Sequence, residues 1–117
     1  MAVRVLIVDD SAPFRTFARA LLAAEGYDVV GEAVDAATAI DAVPRLRPDV
    51  VLLDVQLPDQ DGFAVAARLA CERDPPKVVL VSTRDRTAYR RRLSTAPAEG
   101  FIAKDTLSGP ALAALLG

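Results

Sequence analysis

Asp9, Asp10, Asp54, Ser82, Thr83 and Lys104 are polar residues that close short apolar runs in this sequence. Asp9-Asp10 follow Val3 to Val8, Asp54 follows Val50 to Leu53, Ser82-Thr83 follow Lys77 to Val81, and Lys104 follows Gly100 to Ala103. Such runs read as buried strands. A carboxylate at the end of a buried strand sits at the rim of a sheet, half in solvent. Three carboxylates crowded together repel. At an effective dielectric of ~20, each pair ~4 Å apart costs about 4 kcal/mol. Something positive must sit among them. A hard divalent cation with oxygen ligands suits the set, and Mg²⁺ keeps several waters, so one or two carboxylates suffice. Lys104 supplies a second positive charge and Ser82 a hydroxyl donor. A cation, an ammonium and a hydroxyl around one carboxylate make a cradle for a transferred phosphoryl group. Phosphoryl transfer depends mostly on positioning and charge neutralisation, so few other groups are needed.

The intervening segments must bring those strand ends to one edge. Ser11 is a good N-cap, with Pro13 in the first turn. Phe14, Phe17, Ala18, Leu21 and Leu22 then repeat at helical spacing until Gly26 stops the helix. Val29 to Val34 is a second strand, interrupted by Gly31 and Glu32, and Asp35 caps a second helix carrying Ala36, Ala39, Ile40 and Val43. Pro44 would cost about 3 kcal/mol in a helix interior, which predicts a bend or an early end near Val43. The turn residues Leu57-Pro58 and Asp61-Gly62 follow the third strand, and a third helix is predicted from about Gly62 to Glu72. After the fourth strand, Thr87 to Ser94 reads as a weak, arginine-rich helix. Ser108 caps a last helix with Ala111, Leu112, Leu115 and Leu116. Five alternating strand–helix units require crossovers. They predict an α/β fold, a parallel sheet with helices on both faces. In such sheets ligands bind at the carboxyl ends of the strands.

Composition narrows the functions. The 117 residues fit one domain, expected to span residues 1–117. There is no histidine, which removes histidine-based catalysis and metal binding. The single cysteine, Cys71, allows no internal disulfide and fits a reducing compartment. No leader or membrane-spanning run is visible, so a soluble cytoplasmic protein is expected. A net charge of −2 argues neither for nor against nucleic acid.

The constellation resembles the receiver domain of two-component response regulators. The resemblance covers Val3 to Leu116. It rests on Asp9-Asp10, on Asp54 within LDVQLPDQDG, on Ser82-Thr83, and on Lys104 within GFIAKD. It implies a flavodoxin-like, doubly wound (βα)5 three-layer sandwich with strand order 2-1-3-4-5. It implies that Asp54 takes a phosphoryl group from a sensor histidine kinase or phosphotransfer protein. Asp10, Asp54 and the carbonyl of Gln56 would ligate Mg²⁺, with Asp9 helping through water. Ser82, Thr83 and Lys104 would bind the phosphoryl oxygens. Phe101 matches an aromatic switch position, expected to turn inward as Ser82 moves. The domain would catalyse only its own phosphorylation and dephosphorylation. It would signal through its fourth helix, fifth strand and fifth helix, to a downstream protein the sequence does not name, with scope for a phosphorylation-dependent dimer. Neither membrane nor nucleic acid is an expected partner of this domain.

Each residue also has a plainer reading. Asp9 and Asp10 suit a helix N-terminus, Ser82-Thr83 a turn, Lys104 a solvated surface, and Phe101 ordinary strand packing. Arg84, Arg86, Arg90, Arg91 and Arg92 read either as a solvated face or as a docking surface for an acidic partner. Two features depart from the family pattern: Asp105 follows Lys104 where proline is common, and Pro97 precedes the fifth strand. Lys104-Asp105 occurs among regulators with DNA-binding domains, and favours a receiver cut from one. The ends of the chain favour a stand-alone receiver. A phosphohydrolase of the haloacid dehalogenase type would need Asp-x-Asp after the first strand. A flavodoxin-like electron carrier would need a hydroxyl-rich loop there, where Asp9-Asp10 would repel a phosphate.

Overall fold

The computed structural model describes residues 2–116. Its strands are β1 (Arg4–Val8), β2 (Asp28–Ala33), β3 (Val50–Asp54), β4 (Lys77–Ser82) and β5 (Gly100–Ala103). Its helices are α1 (Ala12–Ala24), α2 (Ala36–Leu46), α3 (Gly62–Leu69), α4 (Arg90–Thr95) and α5 (Gly109–Leu116). All strands are parallel and lie in the order β2-β1-β3-β4-β5. This is the doubly wound sandwich expected from the sequence. Side chains alternate across the sheet. Leu6, Val8, Val51, Leu53, Val78, Leu80 and Phe101 join the core under α2 and α3. Val5, Ile7, Val50, Leu52, Val79, Val81 and Ile102 join the core under α1 and α5. Every residue of β3 is buried, so the strand that carries Asp54 is the most enclosed.

Helix starts are set by side chains that accept the free N–H groups of the first turn. Ser11 Oγ accepts from Phe14 N at 3.3 Å, Asp35 Oδ1 from Thr38 N at 2.8 Å, and Asp61 Oδ1 from Ala64 N at 2.9 Å. Ser108 Oγ accepts from Ala111 N at 3.2 Å. Gly26 ends the first unit with φ +88°, a conformation that only glycine adopts freely.

Three expectations need correction. Of the bend or early end expected near Val43, the early end does not occur: helix α2 runs through Pro44 to Leu46. Pro44 stands in the last turn, where only a small part of the helix lies beyond it. Arg47 then closes the helix in the left-handed conformation, φ 50°, and its N–H donates to Val43 O at 2.8 Å. Helix α3 ends at Leu69 rather than Glu72, because the buried stripe Phe63, Val65, Ala66 and Leu69 ends there. The arginine-rich segment is not one helix. It is a 3-10 turn, Arg86–Tyr89, followed by α4, and α4 buries none of its own residues. With no apolar stripe the segment gains little by regular helical packing.

Gly62 fixes how closely α3 approaches the site. A Cβ there would lie 2.4 Å from the Asp54 carbonyl oxygen and 2.8 Å from Val55 Cα. Both neighbours are backbone and cannot turn aside. Gly62→Ala is therefore expected to lower stability by about 1–3 kcal/mol, read as a lower urea midpoint with unchanged slope. A midpoint equal to wild type would show that α3 does not need this contact.

Candidate functional site

The carboxyl ends of β1, β3 and β5 bring four charged side chains together. Asp9 is fully buried: its Oδ1 accepts from Ser11 N at 2.8 Å, and its Oδ2 has no directed hydrogen bond. Lys104 compensates it electrostatically, with Nζ 2.6 Å from Asp9 Oδ2 and 3.4 Å from Asp54 Oδ2. The same ammonium lies 4.5 Å from the centroid of Phe14, a cation–π contact. Asp54 is 4% exposed, and its Oδ1 accepts from Gln56 N at 3.0 Å. Burial raises the Asp54 pKa above the ordinary value, and the Asp9 charge adds to this; the Gln56 N–H and Lys104 oppose it. Asp10 is exposed beside them.

Asp9, Asp10 and Asp54 each offer a carboxylate oxygen, all within 4.8 Å of one another. Two of these groups are buried, one oxygen lacks a directed donor, and all three ligands are hard oxygens. That donor set fits a small divalent cation such as Mg²⁺. A cavity of about 600 Å³ lies at the opposite edge, around Val43, Pro44 and Pro75. A phosphoryl group needs no such volume.

Surrounding loops are held by groups that sequence reasoning did not single out. Asp59, in the loop after β3, accepts from Ala36 N at 2.8 Å and Ala37 N at 3.0 Å, so the loop caps α2. The Ala36 N–H, with that of Ala37, holds the Asp59 carboxyl below its usual value. Capping residues normally precede their own helix, so no local pattern announces this one. Arg15 donates to the Asp9 carbonyl at 2.8 Å and to Glu32 at 2.9 Å; Arg19 donates to Glu32 at 2.7 Å. This ties the loop that carries Asp9 to β2.

Ser82 is fully buried but makes no hydrogen bond to Asp54. Its Oγ lies 2.9 Å from Tyr89 OH and accepts from Arg84 N at 3.1 Å. Tyr89 was not anticipated; an aromatic seven residues beyond Ser82, in a 3-10 turn, carries no periodic signal. Its ring stands between Phe63 and Phe101, with centroid distances of 5.7 Å to each. Phe101 is thus buried against an aromatic neighbour. Thr83 and the side chain of Gln56 are exposed. Arg92 belongs to this network and not to the free arginine surface: it pairs with Asp61 at 2.7 Å and covers Phe63 at 4.2 Å.

Fold and site together define a flavodoxin-like α/β domain with an acidic cluster and a lysine at the carboxyl edge of its sheet. The chain belongs to the response regulator receiver domain family, which it matches across residues 5–115. It is 36% identical to the receiver domain of NarL from Mycobacterium tuberculosis, with a TM-score of 0.85 over 99% of this chain and 98% of that one. The transcriptional regulatory protein NarL of that organism is 39% identical over 105 residues, which are 89% of this chain and 49% of that protein. Protein-glutamate methylesterase/protein-glutamine glutaminase 4 of Geobacter metallireducens is 48% identical over 81 residues, which are 68% of this chain and 23% of that protein. The chain therefore spans less than half the length of these curated relatives. Among the described residues, no helix is long and apolar enough to cross a membrane.

Glu32 yields a prediction outside the acidic cluster. Arg19, with Arg15, lowers its pKa, against a smaller opposing effect of burial. A lowered folded-state value means the native pair adds stability above the unfolded pKa of about 4.3 and loses it as pH falls through the folded value. Glu32 keeps 30% side-chain exposure, so solvent screens the pair. Glu32→Gln should cost about 0.5 kcal/mol at pH 7 in low salt. The difference should fade as the pH is taken below the glutamate range, measured by urea unfolding. A pH-independent difference would assign the loss to packing.

Proposed function

We propose that this receiver domain takes a phosphoryl group onto Asp54 from a sensor histidine kinase or phosphotransfer protein. One observation carries the reading: Asp9, Asp10 and Asp54 converge within 4.8 Å, with Lys104 reaching two of them. Asp10, Asp54 and the Gln56 carbonyl would hold Mg²⁺, with Asp9 behind them. Bound there, such an ion would supply positive charge to offset the carboxylates and the phosphoryl oxygens. An Asp54 oxygen attacks phosphorus; the new O–P bond replaces the donor's N–P bond, and the departing imidazole takes up a proton. Lys104 shifts from Asp9 toward the new oxygens, a short movement for a flexible side chain. Ser82 and Thr83 offer hydroxyls on the other side. The domain thereby catalyses only its own phosphorylation and dephosphorylation.

Residues 1–117 act as one receiver unit in the cytoplasm, and the face formed by α4, β5 and α5 carries the signal to a protein partner or to a second copy. Arg84, Arg86, Arg90 and Arg91 are exposed there and form no ion pair among the described residues, which suits an acidic partner. A second reading makes the domain the receiver of a DNA-binding regulator. The match to 49% of NarL and the Lys104-Asp105 pair favour it.

Asp54→Asn should abolish acid-labile, hydroxylamine-sensitive labelling from acetyl phosphate with Mg²⁺. Undiminished labelling of the Asn protein would refute the assignment. Asp10→Ala should weaken Mg²⁺ binding more than Asp9→Ala, because Asp10 is exposed and forms no ion pair among the described residues, whereas Asp9 already faces Lys104 and Ser11 N. Mg²⁺ titrations with the reverse order would make Asp9 the direct ligand.

A further inference from the structure

The hydrogen bond between Ser82 and Tyr89 has no part in the chemistry above, yet it joins the phosphoryl site to the signalling face. Ser82 has one hydroxyl. Its oxygen is held between Tyr89 OH at 2.9 Å and Arg84 N at 3.1 Å, and the residue is fully buried. Tyr89 is 8% exposed, and its hydroxyl has no other hydrogen-bond partner among the described residues. We infer that Tyr89 is a latch: its hydroxyl holds Ser82 away from Asp54, and capture of Ser82 by a phosphoryl group on Asp54 releases Tyr89 and with it α4. This rests on Asp54 being the phosphoacceptor and names the residue that regulates that site. The hydroxyl that responds is thus on the 3-10 turn before α4, whereas the β5 aromatic, Phe101, has none to offer.

Three physical points support the latch. A phosphoryl group brings about −1.5 to −2 charges and three acceptor oxygens. A hydrogen bond to such a charged acceptor is roughly twice as strong as one between neutral hydroxyls, so the phosphoryl group outcompetes Tyr89. A buried phenol left without a partner is unfavourable, and Tyr89 gains by moving to water. Tyr89 is also the buried residue nearest α4, a helix that buries none of its own. Its ring is wedged between Phe63 and Phe101, and Phe63 carries Arg92, which is bound to Asp61. When the wedge leaves, the contacts that hold α4 to the sheet loosen together.

The chain contains two tyrosines and no tryptophan. Tyr27→Phe therefore leaves Tyr89 as the sole tyrosine, excited selectively at wavelengths where phenylalanine does not absorb. In that background, saturating beryllofluoride with Mg²⁺ should raise acrylamide quenching of tyrosine emission, because the ring leaves its buried place between Phe63 and Phe101. With Ser82→Ala added, quenching should start high and change little. Tyr89→Phe keeps the ring and removes the hydroxyl. It should tighten the apparent beryllofluoride affinity about two- to tenfold, the equivalent of one released neutral hydrogen bond. Amide signals of Val55 and Gln56 report that affinity, with a thermal melt showing the variant folded. Normal labelling of Asp54 with unchanged Tyr89 quenching overturns the latch and leaves the phosphoacceptor reading intact. Unaltered affinity in Tyr89→Phe also overturns it. Failure of Asp54 to label overturns both.

Discussion

The structure depends on one ammonium group shared by two buried carboxylates. Asp9 and Asp54 are almost without solvent at the ends of adjacent strands, and each would repel the other. Lys104 enters from β5 on the far side of β4 and lies between them. Removing charges from water costs several kcal/mol per ion, and the mutual attraction returns that only with good geometry. Asp9 takes the nearer share of the ammonium, 2.6 Å against 3.4 Å for Asp54, and burial holds the Asp54 pKa up. Such a site is poised for further positive charge. On the proposed function, the protein already bears the desolvation of Asp54 before any phosphoryl group arrives.

The rim that bears this cluster is built from loops, and loops are placed by a few directional contacts. Asp61 caps α3, Asp59 reaches back to α2, and Gly62 lets α3 begin almost against the backbone of Asp54. Arg15 and Arg19 hold the other loop through Glu32. Individually these contacts are modest. Their value lies in orientation: together they fix where the Asp54 and Asp9 carboxylates stand relative to Lys104.

The opposite behaviour is found beyond β4. The 3-10 turn and α4 have few buried groups, many arginines and one aromatic wedge. Low burial makes a segment easy to displace. A rim held by directional contacts beside a sparsely buried helix suits the proposed signalling, in which a change of charge at the first is transmitted only if the second can respond.

Much of this was legible in the sequence. Apolar runs ending in polar residues gave five strands, and helical spacing with caps at Ser11, Asp35 and Ser108 gave the helices between them. The parallel sheet followed because alternating elements need crossovers. Asp9, Asp10, Asp54 and Lys104 are assigned to one edge by the sequence alone, because strand ends in a parallel sheet share an edge and like charges there demand a counter-charge. Three-dimensional packing alone decided the rest. Pro44 stays within α2 because position in the last turn, not residue type, sets its cost. The arginine run divides because no apolar stripe commits it to one helix. Asp59 caps a helix 23 residues before it in the chain. Ser82 faces Tyr89 rather than Asp54, because a hydroxyl has several partners within reach and only side-chain packing chooses among them.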